Sequence, residues 1–96
     1  MIRHVVIRGR VQGVGFRDWT QRAALARGIE GWVRNRRDGM VEAVFSGDPA
    51  AVSGMLADCR SGPPSAHVQT IEELAATVDD LALRRHGERF SVLPTA

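Results

Sequence analysis

The sequence has no lysine, no tyrosine and a single cysteine among its 96 residues. Without lysine there is no amine for a Schiff base, and the lysine of a G-x-x-x-x-G-K-[ST] phosphate loop is missing. With Cys59 alone, no internal disulfide forms, and its place in "VSGMLADCR" is one where a helix takes a small packing side chain. Apolar residues nowhere run to the ~18 that a membrane span needs. The opening "MIRHVVIRGR" has no apolar stretch of signal-peptide length before its arginines. A soluble, cytoplasmic protein with no membrane partner is the expectation.

What is present is the composition of one compact domain over residues 1–96: 44% hydrophobic and 25% charged. All 13 basic side chains are arginine and the formal net charge is +2, a tilt toward anionic partners that also serves plain solubility.

Val5, Ile7, Gly9 and Val11 alternate with Val6, Arg8 and Arg10, the period of a strand from about Arg3 to Val11. A helix follows from about Asp18, a capping carboxylate, to Arg27. Trp19, Ala23 and Ala26 form its apolar stripe and Gly28 is its stop. "GWVRNRRDGMVEAVFSG" holds two short alternating runs around Arg37-Asp38-Gly39, which predicts a hairpin. Asp48-Pro49 opens a second helix with Val52, Met55, Leu56 and Cys59 on its buried side, and Gly62-Pro63-Pro64 closes it. A fourth strand is expected over about His67 to Leu74, and "RFSVL" reads as a short extra edge strand.

Strand, helix, strand, strand, helix, strand is the order of an α+β, ferredoxin-like βαββαβ sandwich, an antiparallel sheet with two helices on one face. Strands one and two run the same way in it, so the loop after strand one and Asn35 near the end of strand two meet at one edge of the molecule.

That loop, "GRVQGVGFRDW", passes from a strand into a helix N-terminus. Glycines there let unpaired backbone N–H groups turn toward one point, and Arg17 adds a planar fork for two oxygens. Gln12 to Arg17 therefore reads as an anion cradle, or equally as a tight turn beside a surface arginine. Asn35 reads as a turn former, or as an amide that holds a water in line with a bound phosphorus. Gly13-Val14-Gly15-Phe16-Arg17-Asp18 puts aspartate where G-x-G-x-x-G needs its third glycine, so this is no dinucleotide loop. His4, His67 and His86 are scattered over different segments, without metal-ligand spacing. A cradle with a positioned water suits hydrolysis of an activated phosphate, an acyl phosphate best of all because its carboxylate already leaves well.

At these residues the chain resembles the acylphosphatase family. "GRVQGVGFR" and "GWVRNRRDGMVEAVFSG" match that family's two signature segments in order and spacing, and the likeness runs from about Val5 to Val68. The resemblance implies a phosphate held by the backbone of Gln12, Gly13, Val14, Gly15, Phe16 and Arg17, phosphoryl oxygens held by Arg17, and an attacking water oriented by Asn35. It implies no metal and no organic cofactor. It implies a small acyl phosphate as substrate, with inorganic phosphate or sulfate as competing ligands, and a monomer is expected.

Two other classes stay in view. One is a module that binds acyl or carbamoyl phosphate without turning it over. The other is a nucleic-acid-binding ferredoxin-like domain, disfavoured because the sheet face it would use carries Arg8, Arg10 and Arg34 with Trp32 as its only clear aromatic. Trp32 and Phe16 are read as packing residues.

Overall fold

A computed structural model describes residues 1–96. The chain runs β1 (Ile2–Arg10), α1 (Phe16–Ala26), β2 (Glu30–Asn35), β3 (Val41–Ser46), α2 (Pro49–Cys59), β4 (His67–Leu74), α3 (Val78–Leu81) and β5 (Phe90–Val92). The sheet has five strands in the order β4-β1-β3-β2-β5. The four expected strands pair antiparallel, and β5 adds a parallel edge beside β2.

Alternation along the strands sends Val5, Ile7, Val33, Val41, Ala43 and Phe45 to one face. There they meet Phe16 and Ala24 of α1 and Val52, Met55 and Cys59 of α2. Each of the valine, isoleucine, phenylalanine and methionine side chains among them stabilises the fold by about 1.5–3 kcal/mol before entropy is counted. Cys59 belongs to this core as expected, and burial pushes its thiol up to about 12, which keeps it protonated and unreactive.

Asp48 caps α2 as its sequence predicts, its side chain accepting from the Ala50 N–H with Pro49 at the first helical position. α1 departs from expectation. It starts at Phe16, two residues before Asp18, because Gly15 enters the left-handed region at φ 79° and turns the chain into the helix without a side-chain cap. Asp18 lies in the first turn instead, 2.9 Å from Arg22 one turn on. The buried stripe is accordingly Phe16, Thr20 and Ala24, with Trp19 and Ala23 half-buried beside it and Ala26 exposed. Thr20 tolerates burial because its hydroxyl donates to the Phe16 carbonyl at 2.8 Å.

The second face of the sheet is not open. Val6, Trp32 and Val44 are buried there. The segment between β4 and β5, with α3 in it, straps across them, and the Trp32 indole donates to the Asp80 carbonyl at 2.7 Å. Beneath the strap Glu42 accepts from Arg34 at 2.8 Å and stands 2.7 Å from His4. Arg34 also lies 4.7 Å over the Trp32 ring. No helix is long and apolar enough to cross a membrane.

Candidate active site

The residues from Gln12 to Asp18 leave β1 and enter α1, and none of their backbone N–H groups donates a hydrogen bond within the protein; the first paired amide is Trp19, bonded to the Gly15 carbonyl. An unpaired run of that length is unusual, because backbone donors are almost always satisfied. It persists because the loop is open to solvent. Gly13 and Gly15 both have φ near +75° (72° and 79°), with free space where a Cβ would stand. Phe16 anchors the loop from below, edge-on to Trp19 with ring centroids 5.5 Å apart. Gly62 closes on it so tightly that a Cβ there would come within 2.6 Å of the Phe16 ring.

The loop borders a cavity of about 340 Å³. Gly13, Gly15, Phe16 and Arg17 line it from the loop, and Asn35 lines it from the end of β2, so the two residues singled out in the sequence share one cavity. Arg17 is half-buried and forms no ion pair, whereas Asp18, on the same wall, is engaged by Arg22. The site therefore presents an uncompensated guanidinium, unpaired amides at a helix N-terminus and a neutral carboxamide, an arrangement that attracts an oxyanion.

The side chains of two cradle residues turn elsewhere, which leaves only their backbone to the cradle. Val14 packs against the core, and the Gln12 side chain reaches away from the cavity to the β2–β3 hairpin, where its Nε2 donates to the Arg36 and Met40 carbonyls at 2.7 and 2.9 Å. Three lining residues lie outside the set expected from the sequence: Val11, Asp18 and Val92. Val11 and Val92 form an apolar wall, and Val92 comes from the three-residue β5, the short edge strand expected from "RFSVL". No cluster of three or more His, Cys, Asp or Glu side chains is placed to hold a metal ion. The Arg-bearing sheet face has no exposed aromatic, since the strap covers Trp32, so it lacks a surface for base stacking.

A ferredoxin-like sandwich with an open anion cradle at one sheet edge is the class that fold and site define. Residues 3–91 match the family model described as Acylphosphatase. A protein of that name from Bradyrhizobium diazoefficiens is 60% identical over 98% of this chain and 95% of its own length. Another from Nitrobacter winogradskyi is 57% identical over 99% and 96%. The crystal structure of acylphosphatase from Bacillus subtilis superposes with a TM-score of 0.80 at 34% identity, covering 97% of this chain and 99% of that one. The chain belongs to the acylphosphatase family, and the match continues past Val68 through the strap to the start of β5.

Proposed function

We propose that the protein hydrolyses acyl phosphates to a carboxylate and inorganic phosphate, with Arg17 and Asn35 as its catalytic residues. The observation that carries this reading is the one cavity lined by an unpaired Arg17, by Gly13, Gly15 and Phe16 of a loop whose amides are unpaired, and by Asn35. The phosphoryl group rests on the loop N–H groups, and the Arg17 fork takes two of its oxygens. Asn35 accepts a hydrogen bond from a water and holds it in line with phosphorus. The water oxygen bonds to phosphorus, the bond from phosphorus to the acyl oxygen breaks, the carboxylate leaves with the electron pair, and both water protons stay with the product as dihydrogen phosphate, one of them shifting to a neighbouring phosphoryl oxygen. Charge on the equatorial oxygens is met by donors already in place, the form of catalysis that phosphoryl transfer most needs. Metal or organic cofactor is not required in this scheme.

The chain acts as one unit over residues 1–96, in keeping with a core that takes side chains from Val5 to Phe90. The unpaired thiol of Cys59 fits a reducing compartment such as the cytoplasm.

The test is hydrolysis of benzoyl phosphate by the purified protein, with and without EDTA, and with inorganic phosphate as inhibitor. Turnover unchanged by EDTA and competitive inhibition by phosphate are expected. Loss of turnover on chelation, or noncompetitive inhibition, would count against the mechanism.

A further inference from the structure

We propose that the Gln12 side chain is a positioning residue, the clamp that sets the distance between the phosphate cradle and Asn35. This rests on the reading of Asn35 as the residue that orients water.

The need for a clamp follows from the topology. The cradle hangs from the end of β1 and Asn35 from the end of β2, but the two strands are not neighbours, because β3 lies between them. Across one intervening strand their ends stand about 10 Å apart. The β1–β3 register ends at Ile7↔Val41, and the β2–β3 register ends at Asn35↔Val41. Beyond Val41 there is no third strand to fix one end against the other, while β1 and the cradle continue for several residues. The gap is spanned by Gln12. Its carboxamide N–H groups reach the carbonyls of Arg36 and Met40, which face each other across the neck of the hairpin, where the Arg36 N–H also bonds the Met40 carbonyl at 2.8 Å. Arg36 directly follows Asn35. One side chain thus ties the first residue of the cradle to the peptide after the proposed water-holding amide.

The clamp acts on turnover rather than on phosphate binding, since it uses only the Gln12 side chain and leaves the cradle's backbone donors and Arg17 in place. Displacement of a reacting group by about 1 Å is enough to cost up to 10²-fold in rate. Gln12→Ala is expected to lower kcat for benzoyl phosphate by about 10-fold or more, with the inhibition constant for inorganic phosphate kept within about twofold. The decisive measurement is a double-mutant cycle with Asn35→Ala. Once Asn35 is gone there is no amide left to position, so Gln12→Ala in that background is expected to change kcat by less than about twofold.

Phosphate affinity falling in step with kcat, equal losses in both backgrounds, or a wild-type kcat would each overturn the proposal. Gln12→Met, of similar length but without donors, repeats the measurement where the alanine variant does not fold. Failure of both to fold would show a clamp that holds the fold rather than Asn35, and would also overturn it. An Asn35→Ala enzyme with wild-type kcat would instead remove the water-orienting reading on which the clamp rests, a result separable from the others.

Discussion

The cradle from Gln12 to Asp18 and the strap from Ala75 to Arg89 are both largely irregular segments over one sheet, yet they treat their polar groups in opposite ways. The cradle leaves its amides and Arg17 without partners. The strap engages several of its own: Thr77 and Asp80 form a reciprocal capping box, Arg84 pairs with Glu30, and the Ser91 hydroxyl accepts from the Arg85 N–H while donating to Glu88. Groups locked into such pairs hold the strap in place and are not free to meet a ligand. The difference teaches that stability should reside with the strap and turnover with the cradle, and each can be perturbed without the other.

The largest effect is expected beneath the strap. Trp32→Ala removes a fully buried side chain and the hydrogen bond to Asp80, for a loss of about 3–5 kcal/mol of unfolding free energy in urea titration, while kcat per folded molecule stays within about twofold. A large fall in kcat at full folding would break the division. Asn35→Ala should do the reverse, cutting kcat by about 10²-fold, or about 2.7 kcal/mol, with phosphate inhibition nearly unchanged. Circular dichroism must show that variant folded, because a wild-type rate in a folded protein would return Asn35 to the role of a turn former.

Arg17→Ala comes next, with about 1.5–3 kcal/mol lost from both phosphate affinity and kcat/KM and unfolding free energy moved by no more than about 0.5 kcal/mol. Arg17→Lys should recover little, since an ammonium does not offer two parallel donors. The smallest effect concerns Glu42. Burial pushes its carboxyl up, but the bonds to His4 and Arg34 together outweigh burial and hold it below its ordinary value of 4.5. A depressed carboxyl stabilises the fold above the unfolded value and loses that contribution as pH falls through the folded one. Glu42→Gln should therefore be less stable than wild type by about 1 kcal/mol at pH 7, a difference that shrinks in acid below pH 4.5. A gap that is constant down to pH 3 would deny the ion pair any role.

The sequence spoke most clearly where local chemistry dictates local structure. α2 announces itself through Asp48-Pro49, and β4 occupies His67–Leu74 as expected. The cradle was legible because glycines before a helix and an arginine just inside it form a local pattern, and Asn35 because strand direction carries it to the same edge. α1 was placed two residues late, since Asp18 resembles a cap while the turn at Gly15 needs only a positive φ that any glycine supplies. The strap was illegible for a different reason. Its fixed points, Trp32 to Asp80 and Arg84 to Glu30, join residues about fifty apart, and a four-residue helix leaves no periodicity to detect. The edge strand after the strap was legible in "RFSVL", but not that its Val92 completes the cavity wall.

The unpaired amides of the cradle carry a thermodynamic consequence. Free protein is the form with vacant donors, so any oxyanion that fills them binds the folded chain and not the unfolded one, and mass action then raises the melting temperature with ligand concentration. At a hundred times its dissociation constant, inorganic phosphate adds about 2.7 kcal/mol to the folded state. Since phosphate is also the reaction's proposed product, product inhibition and protection against heat are one binding event seen by two instruments, and the concentrations at which they appear should coincide.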